Sequence, residues 1–259
     1  MTTAPSNRLQ TAHWTLIRDL AWKNIRLRYR GSLLGFLWAL LSPLLFLLIF
    51  LFVFRRAFPA IPNYPVFALT GLIFWTFFAT VSGHILGSLV ENAGVLKSMA
   101  VPPLAFPLGH LLAGLLNLLL SFLPFGFILF NFGWRPQPVH LLVVPITLLL
   151  SMFLFGVGLG LCALNVYFRD IGLLWSTLLP ALFYLTPIAY PPSLLPTELA
   201  WVAALNPLYH FIGLVRTVLV DGLLPGWDQW VSATWCAALG LVSGLLIHQW
   251  LRRGYVANY

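Results

Sequence analysis

Carboxylates are the groups that most often do chemistry at a membrane face, and this 259-residue chain has six acidic residues. No two are adjacent. Asp19, Glu91 and Asp170 fall singly on three segments, and Glu198, Asp221 and Asp228 follow in one later stretch. Chemistry on a prenyl-phosphate sugar normally needs clustered carboxylates or a carboxylate with a metal. The scatter disfavours a membrane-embedded enzyme of that kind without removing it. A nucleotide-binding loop needs a lysine after a glycine, whereas Lys97 follows Leu96 and Lys23 follows Trp22. Basic residues do concentrate: Lys23, Arg26, Arg28 and Arg30, with Arg18 nearby, form a group able to hold a lipid phosphate. The plain alternative is a basic anchor that fixes orientation. His84 and His110 stand alone on apolar stretches, where a packing role is the commoner one. Cys162 and Cys236 also lie in apolar stretches and are read as packing residues, with neither a disulfide nor a metal expected.

The elements that carry these residues follow from composition. With 60% hydrophobic and 8% charged residues and a mean hydropathy of +0.92, most of the chain has lipid as its solvent. Residues 33–54 form an uncharged run about 33 Å long as a helix, enough to cross the hydrocarbon core. That run is too long for a signal-peptide core, so the N-terminus is expected to stay on the protein. Further spanning windows fall at 66–89, 105–130, 141–164, 171–190 and 230–251. A seventh window, 199–220, is broken by Asn206 and Pro207 and contains Arg216.

Charge decides between six spans and seven. With six spans and an inner N-terminus, the inner segments hold Arg8, Arg18, Lys23, Arg26, Arg28, Arg30, Lys97, Arg169, Arg252 and Arg253. The outer ones hold Arg55, Arg56, Arg135 and Arg216, so the count is ten against four, as the positive-inside rule requires. Residues 191–229 are therefore read as an external, partly re-entrant helical hairpin, and both termini as cytoplasmic. Arg55 and Arg56 are expected to snorkel to outer-leaflet phosphates. Ion-coupled transport usually needs ionisable groups at membrane depth, and no carboxylate falls in the middle of a span. Uphill movement of a substrate would then need energy from another chain. The sequence pI near 10.0 reflects basic segments facing anionic lipid and gives no reason to expect a nucleic-acid partner.

Two inner segments could receive that energy. Residues 8–31 read as a helix in the membrane interface, with Asp19, Lys23, Arg26 and Arg30 on a narrow arc, an apolar arc opposite, and Trp14 and Trp22 at matching depth. Residues 91–104 begin with polar and small residues, carry Lys97 and run into Pro102, Pro103 and then Pro107. A short amphipathic helix is expected there. Residues 165–171, NVYFRDI, are too short for more than a turn, in which Arg169 and Asp170 either pair locally or meet a partner.

Taken in order, RYRGSLLGFLWALLSPL (28–44), ENAGVLK (91–97), NVYFRDI (165–171) and LNPLYHFI (205–212) resemble the type 2 family of ABC-transporter membrane subunits. Within it the likeness is to the exporters of lipid-linked O-antigen, capsule and teichoic acid chains. The resemblance implies an all-α membrane protein of six transmembrane helices that is not itself an enzyme. It also implies a second copy of this chain around a central conduit and two ATP-binding cassette subunits beneath, in the bacterial cytoplasmic membrane. ATP and magnesium would be bound by those partners, and no cofactor by this chain. Residues 91–104 would be the coupling segment, with Glu91, Asn92, Lys97, Arg169 and Asp170 facing the ATPase, and residues 191–229 the external gate. Arg26, Arg28 and Arg30 are expected to meet the lipid phosphate. Sugar C–H faces pack on aromatic rings, and Trp38, Trp75, Tyr184, Tyr190 and Tyr209 are expected along the conduit. The chain departs from the family pattern at Lys97, which is followed by Ser98 and Met99 where relatives often carry adjacent basic residues. A drug or small lipid as cargo stays open.

Overall fold

The computed structural model describes residues 6–29, 63–98, 101–131, 133–194 and 200–255, together with residues 37, 38, 41, 45, 48, 49, 52, 196 and 198; the side chains of residues 6–13, 28, 29, 131 and 200 lie outside the description. The described part is all helical. The helices are α1 (Ser6–Tyr29), α2 (Tyr64–Glu91), α3 (Ala93–Ser98), α4 (Ala105–Asn131), α5 (Val143–Tyr167), α6 (Asp170–Leu185), α7 (Ala200–Leu205), α8 (Pro207–Leu219) and α9 (Trp227–Leu251). Four segments among the described residues are long and apolar enough to cross a membrane: Tyr64–Glu91, Ala105–Phe130, Pro138–Tyr167 and Trp227–Gly254. Most of the expected 33–54 run lies outside the described residues; its seven described positions are helical.

Helix α6 corrects one expected boundary. The apolar window reaches residue 190, but the helix stops at Leu185 after 16 residues, about 24 Å. Pro187 is the cause. It disfavours helical geometry at the preceding residue, and Thr186 adopts φ −95° and ψ 125°. The Asn206-Pro207 break expected from the sequence is a helix start. Asn206 is extended, its side chain accepts the Leu208 amide at 3.1 Å, and proline occupies the first turn of α8, where its missing N–H costs nothing.

Helix α2 is the centre of the packing. Eighteen of its residues are buried, and α4, α5, α6 and α8 all lie against it. Helix α5 packs along α9 through facing small residues: Gly156 and Gly160 on one helix, Gly240 and Gly244 on the other, each pair at four-residue spacing. A methyl group on Gly156 would land on the Gly240 backbone, and one on Gly244 on the Gly156 backbone. Close approach of small residues drives helix association where lipid removes the hydrophobic advantage of burial. The outward faces are apolar. Leu116, Leu119, Leu123, Phe127 and Phe130 form an exposed stripe on α4. On α9, Leu239, Val242 and Leu246 are exposed, with Trp227, Trp235 and Trp250 also outward. Tryptophans toward both ends of an apolar stripe suit the two membrane interfaces.

Candidate coupling and substrate surfaces

One end of the bundle gathers α1, α3 and the termini of α2, α4, α5 and α9. Helix α1 lies along α4. Gly109 makes the contact possible, because a methyl there would press on Leu20 and the Ala21 backbone. Ala21 is buried, while Trp14, Arg18, Asp19, Trp22, Lys23 and Arg26 are exposed. The guanidinium of Arg26 lies over the Trp22 ring, 5.2 Å from its centroid. Of the other expected phosphate ligands, Arg28 belongs to α1 but its side chain, like all of Arg30, is outside the description.

Helix α3 follows α2 after a single residue, Asn92, whose side-chain amide donates to the Ser88 carbonyl at 2.8 Å. No residue of α3 is buried. Val95, Lys97 and Ser98 are exposed, as is Glu91 just before them. A six-residue helix has too few hydrogen bonds to be stable by itself, and half-buried Leu96 packs it against the core. Arg169 and Asp170 are exposed at the start of α6, where the carboxylate suits the helix N-terminus. The Tyr167 hydroxyl donates to the Leu251 carbonyl at 2.8 Å, and Asn165 donates to the Leu86 carbonyl at 3.3 Å. These bonds join the ends of α2, α5 and α9.

Sequence reasoning treated His84 and His110 as isolated. The structure brings their rings to 5.7 Å, and the Asn24 amide lies 3.2 Å from His110 Nδ1. The signal was present as polar residues at helical spacing on α1, α2 and α4, but nothing in the sequence says which faces meet.

At the opposite end the structure buries a residue counted as an external charge. Arg216 of α8 is 7% exposed. Its two terminal nitrogens donate to the carbonyls of Pro187 and Ile188, and Nη2 also reaches the Phe67 carbonyl at 3.4 Å. The guanidinium carbon stands 3.5 Å from the Phe67 ring centroid. Gly71 leaves the space, since a methyl there would meet Nη2 at 2.7 Å. Its Nε is buried without a hydrogen-bond partner. Two more side chains hold the same connector: Tyr64 donates to the Ala189 carbonyl at 2.8 Å, and Asn206 donates to Thr186 Oγ1 at 2.7 Å. Residues 186–189 are thus fixed by α2 and α8 rather than by a helical ladder. Asp221, just past α8, has its carboxyl pushed above the usual range by burial, against the opposing pull of Arg216.

The expected conduit aromatics sit in different surroundings. Tyr184 is 74% exposed and Trp38 45%. Tyr190 is half-buried and donates to the Tyr184 carbonyl at 2.5 Å. Tyr209 is half-buried and meets His210 edge-on. Trp75 is buried at 8% exposure, against Phe78 and Phe183. Trp175, not singled out from the sequence, is buried with its indole N–H donating to Ser82 at 3.1 Å.

Comparison with known proteins places the arrangement. Residues 15–220 match the family model described as "ABC-2 type transporter". The chain is 33% identical over 204 residues to the O-antigen export system permease protein RfbA of Klebsiella pneumoniae, covering 78% of this chain and 79% of that one. It is 32% identical over 215 residues to the Myxococcus xanthus protein of the same name, covering 81% and 82%. It is 28% identical over 232 residues to the polysialic acid transport protein KpsM of Escherichia coli, covering 88% of each chain. With a family match running from α1 through α8, the chain belongs to the ABC-2 type transporter family of membrane proteins.

Proposed function

We propose that this chain is the membrane subunit of an ATP-driven exporter of a lipid-linked polysaccharide of the O-antigen, capsule or teichoic acid type. The observation that carries the reading is the likeness, over about four fifths of the chain, to permeases named for O-antigen export in two organisms. The working unit is two copies of this chain with two ATP-binding cassette subunits, which bind ATP and magnesium and hydrolyse the nucleotide. It sits in the bacterial inner membrane with both termini in the cytoplasm. Each copy has six spans, the first over 33–54 and the fifth formed by α6. Helices α7 and α8 form the external re-entrant hairpin. The burial of α8, and the hold of Arg216 and Asn206 on the 186–189 connector, support a gate that moves as one piece.

In this reading α3 seats in the ATPase, with Glu91, Asn92, Lys97, Arg169 and Asp170 around the contact. The exposure of Val95, Lys97 and Ser98 supports that role. Movement of α3 passes directly into α2, because Asn92 ties the two together. Arg26, Arg28 and Arg30 on the interface helix meet the lipid phosphate. The glycan passes between copies along aromatic faces, and of the five rings named for the conduit Tyr184 and Trp38 are the most exposed. Trp75 acts from within the wall by fixing Phe183, the ring next to Tyr184.

The test is deletion and complementation in the source bacterium. Loss of the chain should remove surface polysaccharide and accumulate lipid-linked glycan on the cytoplasmic face. A purified complex should contain an ATPase subunit in equal amount. Normal surface polysaccharide in the deletion strain, or a purified chain free of ATPase, would overturn the reading.

A further inference from the structure

Between α1, α2 and α4 lie two adjoining cavities of about 220 and 260 Å³, both lined by Asn24, Leu27, Glu91 and His110. Leu20, Lys23, Asn92 and Phe106 complete the first, and His84 and Asn117 extend the second between α2 and α4. Polar side chains of three helices thus converge on one void. Lys23 and Glu91 enter the same cavity from α1 and α2 without forming an ion pair with each other. The Glu91 carboxylate is turned back over Gly87, where a methyl would collide with Oε1. The Asn24 side-chain amide lies 3.2 Å from His110 Nδ1 in the same wall.

The wall therefore offers one basic side chain, one acidic side chain, amides and two imidazoles. We infer that this cavity holds the headgroup of a zwitterionic phospholipid bearing a primary ammonium, the phosphate toward Lys23 and Asn24 and the ammonium toward Glu91. A pyrophosphate fits poorly, since Glu91 would face its negative charge. A quaternary ammonium offers Glu91 no N–H donor, and a glycerol headgroup offers no cation. The setting suits a bilayer lipid. The cavity is at the end of the bundle that bears the interface helix, and Leu27, exposed on α1, gives acyl chains an apolar exit. The bound headgroup bridges α1 to the end of α2, one residue before α3. The inference rests on the chain spanning a membrane and holds whatever the exported cargo is.

Native mass spectrometry of the detergent-purified full chain, loaded in turn with phosphatidylethanolamine, phosphatidylcholine and phosphatidylglycerol, tests it. Phosphatidylethanolamine should be retained roughly tenfold better than the other two, the value of one charge-assisted hydrogen bond. Glu91→Gln should abolish that preference over phosphatidylglycerol, and Lys23→Gln should weaken retention of all three. Both residues are exposed and Glu91→Gln is isosteric, so an unchanged elution profile and melting temperature keep a loss of lipid from being read as misfolding. Equal retention of the three lipids, or a preference unchanged in Glu91→Gln, would overturn the assignment. So would stronger retention of a prenyl phosphate, or binding of free phosphoethanolamine without retention of the lipid.

Discussion

Among the described residues, Arg216 is the one arginine that is buried. Arg216 is buried, has no carboxylate within hydrogen-bond distance and relies on the carbonyls of Pro187, Ile188 and Phe67 and on the Phe67 ring. Carbonyl dipoles and a π face are partial compensation, and each interaction is worth more away from water. Removing the guanidinium leaves carbonyls of a non-helical connector unpaired, at about 1–3 kcal/mol each. Arg216→Met is therefore expected to lower the melting temperature in detergent far more than Trp175→Phe, which removes one hydrogen bond worth about 1 kcal/mol. Arg216→Lys should fall between wild type and Arg216→Met, because an ammonium donates but lacks the planar fork that reaches two carbonyls at once. Fluorescence-detected size-exclusion after a heating series measures all three. A melting temperature for Arg216→Met equal to that of wild type would show that the connector does not depend on the clamp.

At the scale of elements, the contact between α5 and α9 is set by what is missing from it. Gly156, Gly240 and Gly244 put backbone against backbone, and any side chain there has nowhere to go. Gly156→Val is expected to destabilise by about 1–3 kcal/mol or more through overpacking. Gly126→Ala, on α4 where nothing lies within 4 Å, should leave the melting temperature nearly unchanged. Helix α3 makes the opposite case, since Gly94, Val95, Lys97 and Ser98 are exposed. Replacing Val95 and Lys97 together by Asp should leave folding and dimer assembly intact. It should also release the ATPase subunit or uncouple its hydrolysis from export, as read by co-purification and by ATP turnover per chain exported. Retained coupling in that double variant would remove α3 from the path of the energy.

For the molecule as a whole, topology is the expectation with the most consequences. Six spans put residues 98 and 253 on the cytoplasmic side and residue 228 on the other. Cysteines introduced at Ser98 and Arg253 should react with a membrane-impermeant maleimide only after cells are opened, and one at Asp228 in intact cells. Background reaction should be small, because Cys162 is buried and Cys236 half-buried. Reaction of all three from the same side would require an odd number of crossings between Ser98 and Asp228 to be abandoned, and with it the external placement of α7 and α8.

The sequence by itself determined the solvent, the class and the rhythm of the chain. Hydropathy adds along a helix regardless of its neighbours, so the spanning runs at α2, α4, α5 and α9 were legible to within a few residues. Proline and asparagine act on their own backbone, so the start of α8 at Asn206-Pro207 was legible too. The early stop of α6 at Thr186 was written equally locally, in Pro187, but was hidden inside an unbroken apolar window. Tertiary structure alone decided which faces meet. It buried Arg216, although an arginine next to a turn reads as a surface charge until a carbonyl-lined socket is built from α2 and the connector after α6. It paired His84 with His110 and opened the cavity beside them. It also turned four glycines on two distant helices into one contact. In each case the deciding quantity is the distance between residues remote in the chain, fixed by packing and carried by no local property of either one.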